Sequence, residues 1–178
     1  MKTKNLILFG LLAIALTACN LNGSVNNTPE IIFITKPIAN NVDSLGTFLT
    51  DQGGVYQMDT INVGDTVSFH ILLYGFSNNL TSLYLVQSDT TTVKFLIPPK
   101  ASLDSVFSTS DSDYANGKFI FKNNITSLYF PFKLVAKKAS KEVKFMMTLK
   151  SDADFSKTTV LATSSAQVTL ITPIVLPK

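Results

Sequence analysis

From Ile31 onward, apolar residues recur at every second position rather than at the 3.6-residue spacing of a helix, which predicts strands packed by one face on a core. In Thr66–Tyr74, Val67, Phe69, Ile71 and Leu73 fall on one side, and His70 points to the other, exposed or hydrogen-bonded, beside Leu72. Asn78-Asn79 turns the chain into a second strand over 80–87. Further strands are predicted over 31–34, 93–97, 118–122, 128–134, 143–150 and 166–175, with breaks such as Lys36-Pro37, Pro98-Pro99 and Asn116-Gly117 between them. Pro131 sits inside one of these runs and has no N–H for a ladder. That strand should therefore carry an open edge or a bulge there.

Turn signals recur at roughly 8–12-residue intervals and no amphipathic helix of useful length intervenes, a pattern that predicts an all-β fold. The expectation is a single antiparallel β-sandwich of about seven to nine strands over 31–178, with a lipocalin-type barrel as the alternative. Thirteen Phe and abundant aliphatic residues can fill the space between two sheets without disulfides. The apolar run 168–176 reads as the closing strand of this sandwich. The alternative is a donor strand exchanged between copies, as in a fimbrillin-like structural subunit.

The N-terminus follows another pattern. Lys2 and Lys4 precede an apolar run over 6–18, which has the form of a secretory signal. Its 13 residues fall short of the roughly 20 needed to span a bilayer. Leu16-Thr17-Ala18-Cys19 resembles the lipobox of bacterial lipoproteins, where a dedicated peptidase cuts before the Cys and its thiol is joined to diacylglycerol. The resemblance implies removal of 1–18, a membrane anchor through lipid on Cys19, and a polar tether over 19–30. Asn20, in place of Asp, implies the outer membrane. The lack of an acidic residue between Cys19 and Glu30 implies a periplasm-facing protein. Residues 62–69 resemble the turn-into-strand of Ig-like domains on bacterial surface proteins, which implies an Ig-like sandwich. The Cys pair and core Trp of antibody domains are missing.

Composition narrows the chemistry. All 15 basic residues are Lys, against 12 acidic ones, for a net charge of +3. Without Arg the chain lacks the usual bidentate reader of phosphate and guanine, so no nucleic-acid partner is expected. One Cys, one His and no Gly-x-Ser-x-Gly leave neither a Cys/His metal cluster nor a nucleophile motif, so a non-enzyme without a cofactor is expected. The chain has two Glu, Glu30 and Glu142, both beside strands. The candidate calcium ligands are Asp111 and Asp113 in one acidic loop and Asp152 and Asp154 in another. The first loop departs from the EF-hand pattern at Ala115, Asn116 and Lys122, and solvated turns are the simpler reading of both. The lysines between 133 and 144 read as a solvated hairpin, or as a contact for a polyanionic glycan or a lipid headgroup.

The triplet Asp-Ser/Thr-X, with X aliphatic, Ala, Met or Thr, occurs five times where composition predicts about one. It resembles the O-glycosylation motif of Bacteroidota envelope proteins, which implies Ser44, Thr60, Thr66, Thr90 and Ser105 as acceptors. The same triplet is also a turn feeding a strand. Together these readings lead to a non-catalytic, lipid-anchored envelope protein. Its sandwich would contact an envelope protein or glycan through edges, end loops, or the tyrosines Tyr56, Tyr74, Tyr84, Tyr114 and Tyr129.

Overall fold

A computed structural model describes residues 26–45, 49–51, 54–157 and 162–177. The expected signal, Cys19 and most of the tether lie outside them. No helix among the described residues is long and apolar enough to cross a membrane.

The strands in chain order are β1 (Glu30–Phe33), β2 (Ile38–Ala39), β3 (Asp43–Ser44), β4 (Leu49–Asp51), β5 (Val55–Gln57), β6 (Ile61–Asn62), β7 (Thr66–Tyr74) and β8 (Leu80–Gln87). Then come β9 (Val93–Leu96), a short helix α1 (Lys100–Val106), β10 (Lys118–Ile120), β11 (Ser127–Ala136), β12 (Ser140–Ser151) and β13 (Ser165–Val175). One sheet runs β3-β2-β7-β11-β9, with β1 also paired to β7. The other runs β10-β8-β12-β13-β5-β4, with β6 paired to β13. The fold is an all-β sandwich; the sheets do not close on each other, which removes the lipocalin-type alternative.

The alternation in the sequence sets the packing. Val67, Phe69, Ile71 and Leu73 are all at most 1% exposed. Phe69 stacks on its neighbour-strand partner Phe132 at 4.7 Å and meets Phe145 of the facing sheet edge-on at 5.5 Å. A second aromatic group gathers Phe107, just after α1, with Phe119, Phe121 and Phe130. Rings at these spacings and tilts add attraction beyond the apolar area they bury.

Pro131 lies opposite His70 of β7, while β9 covers β11 only from Lys133 to Ala136. The proline thus occupies a stretch of β11 with one flank open, as its missing N–H requires.

The C-terminal run is a closing strand. β13 pairs with β12 from Ile174 to Ser165, and Leu170, Thr172 and Ile174 are buried. The sandwich is antiparallel apart from one path along β13. β5 and β6 both run parallel to β13, Val55–Gln57 beside Thr169–Ile171 and Ile61–Asn62 beside Ile174–Val175. The two short strands are successive pieces of one path along β13, bent at Met58–Thr60. There the Met58 N–H donates to the Ile171 carbonyl (2.8 Å), and the Thr172 hydroxyl donates to the Asp59 carbonyl (2.8 Å).

Candidate functional site

The outer face of the first sheet is assembled from three strands. Cross-strand register sets Ile32 of β1 beside Leu72 of β7, and Leu72 beside Tyr129 of β11. The next row sets His70 beside Pro131. These residues occupy the strand positions that alternate with the core series, so they face away from the sandwich interior. Tyr129 is 49% exposed, Leu96 41%, Ile32 37% and Ile34 53%, so apolar side chains from three strands share this face. The outer face of the other sheet also exposes aliphatic side chains, Val86 (48%) and Val175 (43%), but sets them among Lys144, Thr148, Lys150, Gln167 and Thr169.

Tyr129 is held in place. Its hydroxyl is hydrogen-bonded to Nδ1 of His70, and the two rings lie nearly parallel with centroids 6.0 Å apart. Pro98, Pro99 and Pro131 stand between two shallow depressions of about 300 and 400 Å³. His70, Leu96 and Lys133 border the first, and Leu103, Leu128 and Tyr129 the second. This geometry offers an apolar platform with the Tyr129 hydroxyl at its centre and the Lys133 ammonium at its border, suited to stacking and to burial of a partner's apolar surface.

The other four tyrosines are half-buried. Tyr56 packs edge-on against Phe33, Tyr74 lies tilted against Phe76 at 4.3 Å, and Lys150 Nζ lies 5.9 Å above the Tyr84 ring. The Tyr114 hydroxyl donates to Asp104 (3.1 Å), and burial together with that carboxylate pushes its pKa up. Nothing in the sequence separated Tyr129 from these four; the distinction comes from strand register.

Of the acidic residues proposed for calcium, Asp111, Asp113 and Asp154 are each engaged in a local turn, and Asp152 is engaged across the fold. Asp152 accepts from the backbone N–H and side-chain amide of Asn79 (2.7 and 2.8 Å). Asp113 caps a single 3-10 turn, accepting from the side chain and N–H of Asn116, which hold its pKa down. Ser108 does the same for Asp111, and Ser156 for Asp154. No group of three or more His, Cys, Asp or Glu side chains is placed to hold a metal ion among the described residues. Glu30 and Glu142 lie on different sheets.

The five Asp-Ser/Thr triplets are dispersed. Thr60 is exposed at the bend between β5 and β6, Thr90 in the turn after β8, and Ser105 on α1. Thr66 is half-buried at the start of β7, and Ser44 lies in β3. Two of the preceding aspartates are turn acceptors. Asp65 takes the Asn62 N–H (2.7 Å) and Asp89 the Thr91 N–H (2.8 Å).

No protein-family model matches this chain, and no curated protein matches it. Among solved structures it is similar to a DUF4466 family protein from Parabacteroides merdae, with 13% identity, TM-score 0.42, and 82% of this chain against 44% of that one. Domains 4 and 5 of the S-layer protein SbsC give 13% identity, TM-score 0.33, and 79% against 54%. A family 123 glycoside hydrolase from Clostridium perfringens gives 12% identity, TM-score 0.36, and 70% against 23%. This chain thus spans about half or less of the length of each.

Proposed function

We propose that this is a non-catalytic lipoprotein of the bacterial cell envelope, anchored in the outer membrane through lipid on Cys19 and facing the periplasm. In this reading its sandwich is a contact module for an envelope protein or glycan. The observation that carries the contact role is the apolar outer face of the first sheet, with Tyr129 braced by His70 at its centre. Exposed aromatic and aliphatic side chains on a rigid sheet supply contact area at little entropic cost. The lipobox-like Leu16-Thr17-Ala18-Cys19 supports the anchor. The placement of β13 inside its own sheet favours a self-contained module over the strand-exchanging, fimbrillin-like alternative.

Photo-crosslinking in cells tests the contact role. A benzophenone side chain at position 129 should yield a discrete adduct with one envelope component, while the same group at Thr148 on the opposite outer face should yield none. Equal yields from both positions, or no adduct from position 129, would overturn the assignment of this face.

A further inference from the structure

Along the core face of β8 the alternation runs Leu83, Leu85, Gln87, opposite Leu149, Met147 and Phe145 of β12. The last of these inward positions is polar. Its side-chain oxygen Oε1 is sealed from solvent and has no hydrogen-bond partner, which marks a place where a donor is missing. Gln87 lies where the sandwich opens sideways. β10 covers β8 only as far as Tyr84, and the next N–H, that of Leu85, reaches the Gly117 carbonyl (2.8 Å). Beyond this point a cleft of about 530 Å³ separates the end of β8 from the open edge of β9. Phe95, Ile97 and Tyr114 contribute apolar wall, Thr90, Lys94 and Lys137 add polar and cationic groups, and no carboxylate is among the lining residues.

We infer that this cleft binds an acidic sugar, a uronic-acid-type ring. Rotation of the terminal amide, a soft torsion, turns Gln87 Oε1 toward the cleft to accept from a sugar hydroxyl. The ring carboxylate sits between the Lys94 and Lys137 ammoniums, and an apolar ring face lies against Phe95. A compact ring suits the cleft better than an extended peptide. β9 offers only four residues of edge, closed off by the 89–92 turn at one end and by Pro98-Pro99 at the other. The site is separate from the outer face of the first sheet and does not need the lipid anchor, so it stands or falls apart from the function proposed above.

The test is an NMR titration of the full-length protein in detergent micelles with methyl glucuronide, and with methyl glucoside as the neutral control. Methyl glucuronide should give saturable shifts at the Gln87 side-chain amide, with the glucoside binding about tenfold more weakly. The Lys94→Ala/Lys137→Ala variant, altered only at exposed positions, should lose about the same factor. Gln87→Leu should stay folded and lose the saturable shifts that the glucuronide also gives at the backbone N–H groups of Lys94 and Phe95, which line the same cleft. The inference is overturned if the glucuronide gives no saturable shift, if the glucoside binds equally well, or if either variant binds like the parent. It is also overturned if a tetra-aspartate peptide saturates the same signals and the glucuronide does not, which would make this an acidic-peptide groove.

Discussion

Asp152 clasps Asn79 at three points: its carboxylate oxygens accept from the Asn79 N–H and side-chain amide, and its own N–H donates to the Asn79 carbonyl (2.9 Å). The clasp ties the β7–β8 turn to the segment after β12. Asn26 is bound at the same end, through Asn78 and the Asp154 carbonyl, so the chain enters the sandwich beside this clasp. Asp152→Ala should lower stability by about 1 kcal/mol, with Asp152→Asn intermediate, read from urea unfolding. Since the carboxylate is already engaged, calcium should leave the melting temperature unchanged.

Thr172 is fully buried, and its hydroxyl serves the carbonyl of Asp59 at the bend between β5 and β6. Thr172→Val keeps the shape and removes the donor. It should cost about 1–2 kcal/mol by leaving that carbonyl unsatisfied. Hydrogen exchange should show the loss concentrated along 55–62.

Gly117 has φ +70°, and a Cβ added there would sit 2.1 Å from the Leu85 carbonyl oxygen. The left-handed conformation alone costs a side-chain-bearing residue about 1 kcal/mol. The clash adds a forced backbone shift. Gly117→Ala should therefore destabilise by about 2–4 kcal/mol in chemical unfolding.

Asp89 accepts from the side chain of Thr92 and from the hydroxyl and N–H of Thr91, which hold its pKa down to about 2. Asp113 and Asp154 are lowered in the same way by Asn116 and Ser156. A depressed folded-state pKa contributes stability that is present above the ordinary carboxylate range and lost as pH falls through the folded value. The melting temperature should therefore decline from about pH 4 toward pH 2. Asp89→Asn should flatten part of that decline without changing its direction.

Gln87 tests the cost of an inward polar group. With no donor for Oε1, Gln87→Leu should raise stability by about 1 kcal/mol in the absence of ligand. A decrease would show that the amide has a partner in solution.

Much of the fold was legible because long strands announce themselves by alternation. Thr66–Tyr74 and 80–87 were predicted with the bounds that β7 and β8 have. β2 to β6 were not, since strands of two or three residues carry no periodicity. Their parallel pairing with β13 depends on a bend at Met58–Thr60 and on the Thr172 hydroxyl, both set by tertiary contacts. The outer face was legible only residue by residue. His70 was placed away from the core and Pro131 on an open edge, but their pairing across the sheet is a matter of register. Gln87 closes an otherwise apolar series, and its sequence neighbours do not reveal that it points inward.

Fractionation of cells expressing the parent chain and Cys19→Ala tests the envelope-anchor account most directly. The account predicts that the parent pellets with outer membranes and resists protease until the cells are lysed, and that Cys19→Ala appears in the soluble fraction. A Cys19→Ala protein that still pellets with membranes would contradict the lipid anchor, and digestion of the parent on intact cells would contradict the periplasmic face.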